Sequence, residues 1–165
     1  MGHEIKSRAS INTITNDRIY TDGIVTNGTV DTSGTDSMQL DLPNGGVDTV
    51  TGDIFEKGIK SENPHFIGYG EAPSLIGTPL WSPSSLKVEK DMFINDSNYG
   101  SKTEAIWNDS GLSSLVTATA DELWNIPMAT AFAGVTPVPG ANTELALRPM
   151  LDYSHPWNDV AYVGT

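Results

Sequence analysis

Between residues 9 and 58 the chain is broken every few residues by pairs that turn a backbone: Asp22-Gly23, Asn27-Gly28, Ser33-Gly34 and Asn44-Gly45-Gly46. Asn-Gly and Asp-Gly suit hairpins because both turn residues must tolerate positive φ. The pieces between them are short apolar pulses, including Ile11, Ile14, Ile19, Ile24, Val25, Val30, Leu40, Leu42, Val47, Val50, Ile54 and Phe55. Thr13, Thr15, Thr21, Thr26 and Thr29 are scattered among them, and β-branching favours strands. This pattern predicts several short antiparallel strands. The intervals between turns are irregular, so no repeat is read.

Residues 61 to 100 carry Pro64, Pro73, Pro79 and Pro83 with interleaved glycines and aromatics. That composition predicts a long ordered loop lying on a surface rather than a flexible linker. Ala118-Thr119-Ala120-Asp121-Glu122-Leu123-Trp124 is the best helix candidate, with Thr119 and Glu122 spaced as a capping box and Pro127 as its stop. A second helical piece is expected over Met128–Phe132, ending by Gly134. The expected fold is mainly β, an antiparallel sandwich or small barrel with one short helix and extended arms at both ends. Residues 1–20 form the N-terminal arm, 21–134 the single β-rich domain with its Pro-rich loop at 61–100, and 135–165 the C-terminal extended tail.

Charge narrows the function. The 165 residues hold 21 acidic against 9 basic side chains, a net charge of -12. Such a chain repels phosphate, which argues against direct nucleic-acid binding. It lacks a basic amphipathic helix for an anionic membrane, and no apolar run approaches a membrane span. There is no cysteine, hence no disulfide or thiolate chemistry. After Met1-Gly2-His3-Glu4 no apolar stretch follows, so no secretion signal is expected.

The chemical motifs are incomplete. Asp31-Thr32-Ser33-Gly34 resembles an aspartic-protease signature, but Ser33 displaces the required Gly and no second copy exists. Ser84-Ser85-Leu86-Lys87 matches Ser-x-x-Lys without its companion motifs. His3, His65 and His155 have no metal-ligand spacing. Asn44-Gly45-Gly46-Val47-Asp48 resembles half of a calcium-binding repeat, which makes Asp48 and Asp53 candidates for a cation at an interface. No catalytic residue, cofactor or metal ligand is assigned. Trp and other large apolar residues in irregular segments are better read as contacts, since such side chains anchor interfaces. Ile11, Phe66, Trp81, Tyr153 and Trp157 are the interface candidates.

Asp121-Glu122-Leu123-Trp124 followed by Thr130-Ala131-Phe132-Ala133-Gly134 resembles head decoration proteins of lambda-like phages. The resemblance implies a small β-containing, non-enzymatic protein that sits on a capsid as a trimer or other homo-oligomer. Its partners would be the major capsid protein or other virion subunits, and its location the virion. The alternatives are a carbohydrate- or receptor-binding module of a fibre or adhesin, which the tryptophans would serve, and a tail-tube or other tail structural protein.

Overall fold

The structure, a computed structural model, describes residues 3–22, 24–26, 29–137 and 141–151. The chain winds in five successive coils, each laying one strand on each of three sheets. The first coil holds β1 (Ile5–Lys6), β2 (Ile11–Thr15) and β3 (Arg18–Tyr20). A hairpin of β4 (Ile24–Thr26) and β5 (Thr29–Asp31) intervenes. The second coil holds β6 (Leu40–Leu42), β7 (Val47–Thr51) and β8 (Ile54–Lys57); the third, β9 (His65–Tyr69), β10 (Ser85–Glu89) and β11 (Met92–Asn95). The fourth holds β12 (Glu104–Asn108), β13 (Val116–Thr119) and β14 (Glu122–Trp124), and the fifth β15 (Phe132–Ala133), β16 (Thr136–Pro137) and β17 (Thr143–Leu145). Short helices α1 (Ala72–Ile76) and α2 (Met128–Ala131) sit in the connections.

The three sheets run in the order β1-β6-β9-β12-β15, β2-β7-β10-β13-β16 and β3-β8-β11-β14-β17, and every pairing within them is parallel. The molecule is therefore a three-sided parallel β-solenoid, and the antiparallel sandwich or barrel expected from the sequence is overturned. Thr26 lies opposite Thr29 in the one antiparallel pair among the described strands, and Asn27 and Gly28 lie outside the described residues. The Asn44-Gly45-Gly46 residues instead serve the corner between β6 and β7. At Asn44-Gly45-Gly46 the glycines adopt φ 61 and 136, and a Cβ at Gly46 would come within 2.8 Å of Ser10 O.

The core is three apolar columns, one per sheet, in which like stacks on like. Ile14, Val50, Val88 and Ala118 align in one. Ile19, Phe55, Phe93 and Leu123 align in the second, where the Phe55 and Phe93 rings stack at 5.0 Å. Ile5, Leu40, Ile67, Ile106 and Phe132 align in the third. A coil cannot bury its apolar face alone, so each needs its neighbours. On the second sheet a parallel row carries Thr13, Thr49, Lys87, Thr117 and Thr136, where β-branched side chains suit a pleated surface.

The corner between the second and third sheets repeats most strictly. Asn16, Gly52, Lys90 and Ala120 all adopt positive φ, at 57, 74, 62 and 58. Each is followed by an aspartate: Asp17, Asp53, Asp91 and Asp121. The Asp53 carboxylate accepts the Asp17 N–H at 2.7 Å, Asp91 accepts the Asp53 N–H at 2.7 Å, and Asp121 accepts the Asp91 N–H at 3.0 Å. Asn142 ends the column by accepting the Asp121 N–H at 3.0 Å. The second carboxylate oxygen closes its own turn, taking the Thr51 N–H in Asp53 and the Glu89 N–H in Asp91, each at 3.1 Å.

This column corrects the expected helix over residues 118–124. Thr119 ends β13, Ala120 is the left-handed turn residue, and Glu122 opens β14. A capping box and a strand–turn–strand corner share the same polar spacing, and here tertiary stacking decides between them. The second helical piece is present as α2. Left-handed backbone costs a residue with a Cβ about 1 kcal/mol. Ala120→Gly is therefore expected to raise stability by about 1 kcal/mol in denaturant unfolding; a lower midpoint would contradict the assigned turn.

Candidate binding site

Between β9 and β10 the chain leaves the stack for residues 70 to 84. It forms α1, which ends at left-handed Gly77, then an extended run through Pro79, Leu80 and Trp81 to a cis Ser82–Pro83 bond. Hydrogen bonds tie this excursion to the corner between the first two sheets. Trp81 N–H donates to Asn44 O at 2.9 Å, and Trp81 Nε1–H to Arg8 O at 3.0 Å. Asn44 Nδ2 donates to Pro79 O at 3.1 Å, and Arg8 Nη1 donates to Asn44 Oδ1. From below, Tyr69 OH donates to Gly46 O at 2.8 Å.

The result is a cavity of about 560 Å3 lined by Arg8, Asn44, Ile76, Thr78, Pro79, Leu80 and Trp81. Its walls are mainly apolar, and Arg8 is the sole charged residue among them. Exposed apolar side chains surround it: Leu75 is 67 % exposed, Ile76 62 % and Trp81 47 %. Ile11, 69 % exposed, and Val47, 39 % exposed, lie paired at the same corner, where Val47 N–H donates to Ser10 O. Large apolar groups gathered in this way mark an interaction surface more than singly scattered ones do.

Two of the interface candidates, Ile11 and Trp81, thus lie at one corner. Phe66 lies elsewhere: it is fully buried, packs edge-on against Phe93 at 5.5 Å, and belongs to the core. An alternating apolar strand does not tell which of its residues face outward until the coil is closed. Tyr153 and Trp157 lie outside the described residues, as does His155. Asn44 stands out in the sequence only as a turn residue and part of an incomplete calcium-binding motif, and Arg8, Ile76 and Leu80 carry no motif. For Ile76 and Leu80 the local sign is the density of proline and large apolar residues from Leu75 to Trp81.

Several other ionisable groups pair within the fold. Asp41 holds His3 at 3.0 Å and also Lys6, fastening β1 to the second coil. Glu71 beside it is pushed up to about 8 by burial and by a hydrogen bond shared with the Asp41 carboxyl. Glu56 is likewise pushed up to about 8, by burial and the nearby carboxyls of Asp22 and Asp96. Arg148 clamps Asp96 with its guanidinium and lies over the Trp124 ring at 5.8 Å. His65 contacts Glu104 at 2.8 Å and stacks on Trp107.

The proposed motif residues are used otherwise. Asp48 accepts the backbone and side-chain N–H groups of Asn12, at 3.0 and 2.7 Å, and Asp53 belongs to the corner column. Among the described residues no group of three or more His, Asp or Glu side chains is placed to hold a metal ion. Ser84 is buried with its hydroxyl on Trp81 O, whereas Lys87 is exposed and pairs with Glu89. Asp121, Leu123 and Ala131, which carry part of the phage resemblance, are buried in the stack.

No helix among the described residues is long and apolar enough to cross a membrane. Comparison with protein-family profiles, with curated proteins and with solved structures found no match.

Proposed function

We propose that this chain is a non-enzymatic structural protein of a large assembly, a tailed-virus particle, which it joins through the Trp81 corner. The observation that carries this reading is the cluster of exposed Ile11, Val47, Leu75, Ile76 and Trp81 on a corner braced by hydrogen bonds from three coils. A surface held rigid before contact loses little entropy on docking, and repetition of modest contacts by symmetry multiplies their effect. The stacked shaft supplies stiffness, and the acidic remainder keeps the chain soluble and disfavours contact elsewhere. The partner is a neighbouring virion subunit, in a decoration or tail position.

Trp81→Asp together with Ile76→Asp tests the reading. Both side chains are exposed, and Trp81→Asp also removes the indole bond to Arg8 O, so the fold is expected to stay within about 1.5 kcal/mol of the parent. Co-sedimentation with particles is expected to fall at least about tenfold, as for loss of an aromatic anchor. Undiminished attachment by the double variant would overturn the reading. Attachment replaced by binding on a glycan array that Trp81→Ala abolishes would favour the carbohydrate-binding alternative.

A further inference from the structure

We infer that the cavity beside Trp81 binds an apolar group that carries a carboxylate. The inference rests on the reading of this corner as a binding surface and narrows what enters it.

Size, lining and charge each contribute. A volume of about 560 Å3 falls within the range of small-ligand sites. Ile76, Pro79, Leu80 and Trp81 offer an apolar wall, and the hydrogen bonds of Trp81, Asn44 and Arg8 fix that wall before anything binds. The charge of the site runs against that of the molecule. Acidic residues outnumber basic ones by 21 to 9, yet among the described residues no acidic one lines the cavity. Lys6, Lys57, Lys87 and Arg148 each have a carboxylate partner, and Lys60, Lys90 and Lys102 are exposed residues outside the cavity lining. Arg8 has none among the described residues, and its guanidinium is oriented instead by the neutral side chain of Asn44.

A guanidinium aimed by an amide keeps donors free for an anion, and its planar fork matches a carboxylate. The net charge of -12 lowers the local concentration of free anions, so a carboxylate is retained only when its apolar body also fills the wall. That chemistry is met by a free aliphatic acid or by an apolar residue at the carboxyl end of another chain.

The test is an NMR titration of the full chain, following the Trp81 indole N–H. The probes are hexanoate and N-acetyl-leucine, with their neutral counterparts hexanamide and N-acetyl-leucinamide. The expected result is a saturable shift in which the carboxylates bind at least about tenfold tighter than the amides. Preference for N-acetyl-leucine would assign the chain-end source, and preference for hexanoate the free acid. Arg8→Gln is expected to erase the carboxylate advantage, so that acids and amides bind alike, whereas the Trp81 indole bond goes to the Arg8 backbone oxygen and needs no guanidinium. Should that variant fail to fold, salt serves instead: carboxylate affinity must fall with ionic strength and amide affinity must not.

Equal binding of acids and amides, or no shift with any probe, would overturn the inference. If particle attachment is nonetheless lost in the Trp81→Asp, Ile76→Asp variant, the attachment reading survives without it. If the carboxylates bind and attachment is unaffected by that variant, the attachment reading fails and the ligand site stands.

Discussion

Unfolding of this protein is expected to become easier as the pH rises from about 5 to about 8.5. The cause is the column of aspartates at the corner between the second and third sheets. Burial pushes Asp53 up to about 6, Asp121 to about 7 and Asp91 to about 8, against an ordinary value of 3.8. In Asp91 the carboxylates above and below add to the burial cost. A carboxyl whose folded value lies above its unfolded one binds its proton more tightly when folded. Its stabilising contribution is complete below about 4 and is lost as the pH climbs through about 6 to 8. Glu56 and Glu71, both raised to about 8, act in the same sense. His3, lowered mainly by burial, opposes them on the acid side.

The fall is measured as the denaturant midpoint across the pH range, and its sign is the expected result. Asp91→Asn should reduce that slope, because it removes the aspartate of the column with the highest value while keeping an acceptor for the Asp53 N–H. Asp91→Ala should cost about 2–5 kcal/mol even near pH 5, since the N–H groups of Asp53 and Glu89 both lose their acceptor. A midpoint that rises with pH, or a slope unchanged in Asp91→Asn, would remove the column from the account.

The second large effect is expected at Asp36. Its carboxylate meets Lys57 Nζ at 3.3 Å, and both side chains are fully buried. Lys57 also donates to Ser37 O at 3.3 Å and lies 5.4 Å over the Phe66 ring. Burial pulls Lys57 below its ordinary value, and Asp36 is the largest influence holding it up. The pair fastens the segment before β6 to the second coil. Asp36→Ala leaves an ammonium in the interior with Ser37 O, the Phe66 ring and only the weaker influence of the Glu56 and Glu4 carboxylates, and should cost about 3–5 kcal/mol. Asp36→Leu with Lys57→Met should recover most of that loss, because replacing both charges removes two desolvation costs at once. A cost under about 1 kcal/mol for Asp36→Ala would show that the pair is solvated in the protein.

The sequence makes the strands visible but not their direction. Alternation of apolar and polar residues has period two in parallel and antiparallel sheets alike, and short strands between Gly-rich turns fit both. Four gapless stretches do hold the answer: Thr13-Ile14-Thr15-Asn16-Asp17-Arg18-Ile19-Tyr20, Thr49 to Glu56, Lys87 to Ile94, and Thr117 to Trp124. In each an apolar residue, then a left-handed residue, an aspartate and a second apolar residue recur in register. Their aspartates are 36, 38 and 30 residues apart. The hairpin and the Trp81 excursion lengthen some coils, so a search for a fixed period misses them. The binding corner was half legible. Ile11 and Trp81 stand out as large apolar residues in exposed contexts, but Arg8 and Asn44 are polar residues 36 apart that only coil closure brings together.

The corner column has a further consequence for how such a molecule can change in size. Each aspartate reaches back to the coil before it and satisfies the same backbone group in the same way, whatever connection its own coil carries. Loops can therefore grow or shrink between one aspartate and the next without altering the fit of neighbours, as the hairpin and the Trp81 excursion already do. A duplicated segment running from one aspartate to the next would bring its own fastener and extend the shaft by one strand spacing, about 4.8 Å. The length of the molecule is in this sense counted in whole coils, and the aspartate sets the unit.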